Sequence, residues 1–133
     1  MRWLLDTNVC IRYLNGRSPK LKTRFEQADE REIAVCSVVR AELLFGAAKS
    51  RDAQTATIKQ ELFLSRFASY PFDDSCAEAY ANVRRDLESA GTPIGPNDLL
   101  IASIALTNSL TLVTHNTAEF NRIAGLSIED WEE

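Results

Sequence analysis

Residues 3–16 have the sequence WLLDTNVCIRYLNG. The segment begins with a short apolar run, Trp3–Leu5, and then reaches an acidic residue, Asp6. It continues with Val9–Leu14, where apolar residues have helical spacing, and it stops at the turn pair Asn15-Gly16. This order predicts a strand, a turn and a helix, which is the building unit of an α/β protein.

The same order recurs in residues 33–48. Ile33–Cys36 is apolar and rich in β-branched residues, as expected of a strand, and Ser37 is a candidate N-cap for a following helix. Apolar residues at helical spacing predict that helix, and they are Val38, Ala41, Leu44, Phe45 and Ala48. A second strand–helix unit therefore follows the first.

The rest of the chain continues to alternate between helices and strands. Arg51–Tyr70 is amphipathic, with Ile58, Leu62 and Phe67 on roughly one side. Further helices are predicted over Asp73–Ala90, over Leu99–Leu106 after the capping pair Gly95-Pro96, and over Thr117–Ile123. Further strands are predicted at Tyr70–Phe72, at Leu110–Val113 and, on the sheet edge, at Leu126–Ile128. This alternation indicates an α/β fold with a mainly parallel central sheet covered by helices on both faces.

Length and composition indicate one ordinary folded domain. The chain has 133 residues, of which 45% are hydrophobic and 26% charged, so we expect a single domain over residues 1–133. Cys10, Cys36 and Cys76 are odd in number and share no short spacing, which argues against disulfides and a zinc site and favours buried thiols. The apolar run near Met1 is too short for a signal peptide or a membrane span, so we expect a cytoplasmic protein.

Charge is unevenly distributed along the chain. The total of 15 basic and 19 acidic residues gives a net charge of −4, which does not favour nucleic-acid binding by charge alone. Between Thr7 and Phe25, however, every charged residue is basic, and these residues are Arg12, Arg17, Lys20, Lys22 and Arg24. This basic run could hold an RNA backbone, or it could be a solvated helix face followed by a loop. The chain ends in an acidic tail that contains Glu129, Asp130, Glu132 and Glu133.

Four acidic residues occupy places that should meet at one edge of the predicted sheet. Asp6 ends the first strand, Glu42 lies one turn into the second helix, Asp98 begins a helix, and Glu119 follows the fourth strand. Carboxylates that converge repel one another unless a cation lies between them. Oxygen ligands without a His or Cys cluster favour Mg²⁺ or Mn²⁺, one ion or two, which can promote phosphodiester hydrolysis.

Four ordered motifs carry a resemblance to a known family. They are Leu5-Asp6-Thr7-Asn8, Arg40–Gly46, Ile94–Asp98 and Val113–Phe120, and the similarity extends through Glu129-Asp130-Trp131. Together they resemble a PIN domain and, more narrowly, the VapC toxins of bacterial toxin–antitoxin pairs. Each motif is weak alone, but the ordered set at these spacings is specific.

The resemblance also implies roles for individual residues. The family's three principal metal-binding and catalytic acids correspond to Asp6, Glu42 and Asp98. Its fourth acidic position corresponds to Glu119 or to the place that Asn116 occupies here, and we favour Glu119. Thr7, Asn8, Thr114 and Asn116 resemble the polar residues that orient the acids or a water molecule.

The family implies a three-layer PIN-like fold and a metal-dependent endoribonuclease that cleaves structured RNA, often a tRNA. Such a toxin is usually dimeric and is held inactive by a cognate VapB-type antitoxin, through which the pair binds operator DNA. We expect water to attack an RNA phosphodiester and to leave a 5′-phosphate and a 3′-hydroxyl, while the basic run holds the backbone. Leu62, Phe63 and Phe67 could contribute to an apolar dimer surface.

Two other classes of function are weighed against this one. A phosphatase-like enzyme could use Asp6 as a covalent nucleophile, but the chain has no second Asp two residues later and no evident cap domain. A non-catalytic module could use the acidic pocket only to bind a basic peptide or RNA, although the presence of all three principal acids argues against it. His115, the sole histidine, is expected to be a loop residue, and Trp3 and Trp131 are expected to pack in the interior.

Overall fold

A computed structural model describes all 133 residues, and a five-stranded sheet forms its centre. The strands are β1 (Trp3–Leu5), β2 (Ile33–Cys36), β3 (Ala68–Tyr70), β4 (Thr111–Val113) and β5 (Ile128–Glu129). Their spatial order is β3-β2-β1-β4-β5, and all four pairings are parallel. The predicted parallel sheet is therefore confirmed. The order of connection reverses between β1 and β4, and ligands of parallel α/β sheets gather at the carboxyl end of such a point.

Seven α-helices connect the strands. They are α1 (Thr7–Asn15), α2 (Pro19–Gln27), α3 (Ser37–Ala48), α4 (Ala53–Leu64), α5 (Asp74–Ser89), α6 (Pro96–Thr107) and α7 (Thr117–Phe120). None of them combines the length and apolar character needed to cross a bilayer. The helix α3 packs against α4, and α5 packs against α6.

The hydrophobic core lies on both sides of the central strands. All residues of β1 and β2 are buried, and Leu4, Leu5 and Leu112 have no exposed surface. Strands that are buried on both faces read as continuous apolar runs, which explains why these strands could be located in the sequence. The apolar body of α6, from Leu99 to Ala105, is almost wholly buried and supports the predicted helix.

Two local signals set the ends of the helix that follows β1. The carboxylate of Asp6 accepts a 2.8 Å hydrogen bond from the backbone N–H of Val9 and so caps α1. Gly16 ends the helix in the left-handed conformation, with a φ of 65°. The strand–turn–helix unit predicted from residues 3–16 is thus present, and its helix begins two residues earlier than expected.

The third strand lies earlier in the chain than the predicted Tyr70–Phe72, at Ala68–Tyr70. Pro71 has no backbone N–H to donate to a neighbouring strand. The N–H of Phe72 instead donates to the hydroxyl of Ser37, at 3.2 Å. Ser37 is accordingly the first residue of α3 and not its N-cap, a place that Cys36 takes without a side-chain hydrogen bond.

The helix α2 was not predicted as such. The hydroxyl of Ser18 accepts a 3.2 Å hydrogen bond from the N–H of Leu21, and Pro19 occupies the first turn. Phe25 on this helix stacks on Tyr13 of α1, with ring centroids 4.1 Å apart. Part of the basic run therefore lies on a helix that is anchored to the core.

The expectation for Arg51–Tyr70 was partly wrong. Ile58 and Leu62 point into solvent, with 54% and 66% of their surface exposed, whereas Phe63 and Phe67 are buried. Of the three residues predicted for a dimer surface, only Leu62 is therefore available for contact. Near the C-terminus the structure also shifts two predicted boundaries, because α7 stops at Phe120 and β5 begins at Ile128.

Candidate active site

Asp6 lies at the carboxyl end of β1, beside β4. Its side chain is buried, with 4% of the residue exposed, and burial raises its pKa. Hydrogen bonds from Thr114 and from the Val9 N–H act against this and stabilise the ionised form. The cost of burying the carboxylate is therefore only partly offset by neighbouring donors.

Asp98 lies in the first turn of α6 and has a pKa raised to about 6. Burial is the largest cause, and the negative charges of Asp6, Glu119 and Glu42 follow in that order. The charges of the other three predicted acids therefore contribute to the raised pKa of Asp98. The fold brings together four carboxylates, one from the end of β1 and the others from α3, α6 and α7.

Glu42 reaches this cluster from α3. The Thr7 hydroxyl donates a 2.6 Å hydrogen bond to Glu42 Oε1, which joins the start of α1 to α3. A helix begins immediately after Asp6, so Thr7 is presented at the same sheet edge as the acids. The position of Glu42 is thereby fixed by a residue adjacent in sequence to Asp6.

Glu119 lies close enough to Asp98 for its charge to act on that residue. The amide Nδ2 of Asn116 donates to Glu119 Oε2 at 2.6 Å, and the backbone N–H of Asn116 donates to the Thr114 hydroxyl at 3.0 Å. The negative charge of Glu119 contributes to the raised pKa of Asp98. Asn116 therefore acts as a neutral donor to Glu119.

Two adjoining hollows make part of the cluster accessible. One, of about 780 Å³, is lined on its polar side by Thr7, Asn8 and Glu42 and on its apolar side by Phe45. The other, of about 320 Å³, is lined by Asp6, Asn8, Arg12, His115 and Asn116, with Ile11 at their common border. Because the hollows share Asn8 and Ile11, they adjoin, and together they expose Glu42 on one side and Asp6 on the other.

The chemistry of this donor set fits a hard divalent cation. No lysine, arginine or histidine forms an ion pair with any of the four carboxylates. All four side chains offer oxygen ligands, which Mg²⁺ and Mn²⁺ prefer. Burial, followed by the charges of the other three acids, raises the pKa of Asp98, and a bound cation would offset both effects.

The structure divides the predicted basic run into two groups. Arg12 donates to Glu132 Oε1 at 2.5 Å. Arg24 lies 3.4 Å from Glu129 Oε1 and stacks on Trp131, with its guanidinium carbon 4.6 Å from the ring centroid. Arg17, Lys20 and Lys22 are exposed and form no ion pair. These three residues are free to contact a polyanion.

The acidic tail was not expected to approach the site. Glu132 is buried beside Arg12, and its charge contributes to the raised pKa of Asp6. Asp130 lies 3.0 Å from the exposed ring of His115. The sequence shows an acidic tail and a basic segment of complementary charge, but no local pattern pairs Glu132 with Arg12.

The predicted interior positions of other residues are confirmed. Trp3 and Trp131 are both buried and meet edge to face, with ring centroids 5.4 Å apart. All three cysteines are buried and free.

Comparisons with known proteins identify the family and agree with the fold. The family model described as "PIN domain" matches residues 3–126. The ribonuclease VapC2 of Rickettsia felis is 40% identical over 133 residues, 99% of each chain, and the tRNA(fMet)-specific endonuclease VapC of Shigella flexneri is 34% identical over 131 residues, 98% of each. A crystal structure of DNA-bound VapBC from Salmonella typhimurium contains a chain 35% identical to this one, with a TM-score of 0.91 and 98% of each chain covered. The chain therefore belongs to the PIN-domain family and to its VapC group.

Proposed function

We propose that this protein is a metal-dependent endoribonuclease toxin that hydrolyses phosphodiester bonds in structured RNA. The observation that carries the proposal is the convergence of four carboxylates at one sheet edge, where burial and the other three charges raise the pKa of Asp98 to about 6. Carboxylates that lie this close repel one another, so a bound cation would stabilise the site.

Asp6 and Asp98 are proposed as the most direct metal ligands, with Glu42 and Glu119 completing the set. Mg²⁺ or Mn²⁺, as one ion or two, fits these oxygen donors. The bound cation would activate a water for attack on the phosphodiester and neutralise charge on the phosphate. In this proposal the carboxylates hold the cation and fix where the reacting phosphate lies.

Four polar residues are proposed to orient the acids. Thr7 holds Glu42, Thr114 donates to Asp6, and Asn116 donates to Glu119. Asn8 lines both hollows and is placed to contact the substrate or a water. Such partners keep metal ligands in one orientation and commonly change affinity or activity by about 10–100-fold when removed.

The proposed substrate is a tRNA. The Shigella relative is named as tRNA(fMet)-specific, which supports a tRNA as the class of RNA cleaved. We propose that Arg17, Lys20 and Lys22 hold its backbone, because they are exposed and unpaired. Arg12 and Arg24 of the original basic run would contribute less, since the acidic tail already pairs with them.

We also propose a cognate antitoxin as the regulatory partner. Solved VapBC structures from Salmonella typhimurium and Rickettsia felis are DNA-bound, and the latter is described as bound to a fragment of the promoter. By this analogy the chain would act as one domain over residues 1–133, as a homodimer in the cytoplasm. It would reach operator DNA only through the antitoxin.

The test is cleavage of total tRNA by the purified, antitoxin-free chain with Mg²⁺ or Mn²⁺. We expect cleavage that EDTA and Asp6→Asn abolish, whereas Glu78→Gln, which removes an exposed acid on α5, leaves it intact. Cleavage that persists in Asp6→Asn would refute the proposal. Binding of RNA without any cleavage in either metal would instead support a non-catalytic module.

A further inference from the structure

A second group of possible metal ligands lies beside the smaller hollow and shares no residue with the four acids. The C-terminal tail, residues 128–133, runs next to the loop that contains His115. Nδ1 of His115 lies 3.0 Å from Asp130 Oδ2 and 3.9 Å from Glu132 Oε2. The potential ligand atoms of these three residues all lie within 4.8 Å of one another.

The buried carboxylate of Glu132 independently indicates that this group could bind a cation. Its side chain is only 5% exposed, and Arg12 occupies its Oε1 atom. Its Oε2 atom is buried and has no hydrogen-bond partner, although it points toward His115. A buried carboxylate oxygen without a partner is costly, so a cation at this point would satisfy it.

The local charge also favours a cation. Asp130 and Glu132 contribute two negative charges, and Arg12 offsets one of them. A divalent ion would therefore relieve the repulsion between Asp130 and Glu132.

We propose that His115, Asp130 and Glu132 form a second cation site, selective for a transition-metal ion such as Zn²⁺. One imidazole and two carboxylates are ligands that Zn²⁺ accepts at about 2.0–2.2 Å, whereas Mg²⁺ prefers oxygen alone. Ligand atoms around such an ion lie about 3–4 Å apart. The two distances measured from His115, 3.0 and 3.9 Å, fall in this interval. The ion would tie the C-terminal tail to the loop before α7.

The sole histidine makes this site directly observable. We expect the imidazole proton resonances of His115 in the tag-free protein to change with Zn²⁺ and to saturate near one equivalent. Excess Mg²⁺ should neither cause the change nor reverse it. The three buried cysteines are shielded from added Zn²⁺.

Matched variants separate this site from the four-acid cluster. Asp130→Asn keeps the acceptor for the Glu132 backbone N–H but removes the charge, and it should weaken the Zn²⁺ response by more than about tenfold. His115→Gln, at an exposed position, should lose one Zn²⁺ equivalent by calorimetry. Asp6→Asn should retain the response of His115.

An unchanged His115 spectrum through several equivalents of Zn²⁺, or an equal response in Asp130→Asn, would overturn the proposal. Loss of the response in Asp6→Asn would also overturn it, because the change would then report the four-acid cluster. None of these readouts depends on RNA cleavage, so they test the second cation site independently of the nuclease proposal.

Discussion

The Thr7 hydroxyl donates a 2.6 Å hydrogen bond to Glu42 Oε1 and so links the residue after Asp6 to the helix α3. Without this bond the Glu42 side chain could adopt other rotamers and would no longer be held in one position. We predict that Thr7→Val lowers tRNA cleavage by about 10–100-fold. The free energy of unfolding should fall by only about 1 kcal/mol, because one partly buried hydrogen bond is lost.

Thr7→Ser serves as the matched control, because it keeps a hydroxyl at the same position. It should retain most of the cleavage rate, measured under identical Mn²⁺ concentrations. Equal rates for Thr7→Val and the wild type would show that Glu42 needs no such support.

The raised pKa of Asp98 predicts a pH dependence of stability in the metal-free protein. The folded-state pKa is about 6, above the usual value for an aspartate, so ionising Asp98 disfavours the folded state. The stability contributed by protonated Asp98 is fully present below about pH 4 and is lost as the pH rises to about 6. The penalty at pH 7 is on the order of 1–2 kcal/mol after allowance for solvent screening.

Urea unfolding in EDTA checks this sign when the wild type is compared with Asp98→Asn. The variant should be the more stable protein at pH 7, and the difference should shrink toward pH 4.5. Glu78→Gln should show no such trend, since its side chain is exposed on α5. A variant that is less stable than the wild type at pH 7 would contradict the prediction.

The affinity for metal should increase with pH as Asp98 loses its proton, whereas the stability of the metal-free protein decreases. A carboxylate binds a cation only when deprotonated, so protons compete with Mn²⁺ at Asp98 as the pH falls through about 6. We therefore expect the Mn²⁺ dissociation constant, measured by calorimetry, to rise steeply between pH 7 and pH 5. A constant affinity over this interval would remove Asp98 from the set of ligands.

Much of the site could be predicted because its signals are local. Asp6 directly follows an apolar strand, and the pair Gly95-Pro96 predicts the start of the helix that carries Asp98. Both acids could therefore be assigned to one edge of the sheet. Glu42 and Glu119 depended more on the family pattern than on their own surroundings.

The sequence predictions were wrong or incomplete where the structure depends on contacts between residues far apart in the chain. The end of β3 depends on Pro71 and on the bond from the Phe72 N–H to Ser37, which lies 35 residues away in sequence. The pairing of Glu132 with Arg12 spans 120 residues, so no local pattern could reveal it. Periodicity also could not show which side of α4 faces the core, and Ile58 points into solvent.

The Arg12–Glu132 ion pair predicts that losing Arg12 costs stability, whereas losing an unpaired basic residue does not. Arg12→Gln would leave the carboxylate of Glu132 buried with weaker compensation, and we expect the free energy of unfolding to fall by about 1–3 kcal/mol. In a Glu132→Gln background the same change should cost much less, as a double-mutant cycle can measure. Arg17→Gln, at an exposed and unpaired position, should stay within about 0.5 kcal/mol of the wild type.

The unpaired basic residues of α2 and the loop before it predict how RNA binding depends on salt. Each phosphate contact releases counterions, so removing one lowers the slope of log affinity against log salt by about 0.7–0.9. With Asp6→Asn as background to prevent cleavage, we expect Lys20→Gln and Lys22→Gln each to reduce the slope for tRNA by about this amount. Arg24→Gln should change it less, because Glu129 and Trp131 already engage the Arg24 guanidinium. Equal slopes for all these proteins would place the RNA on another face of the molecule.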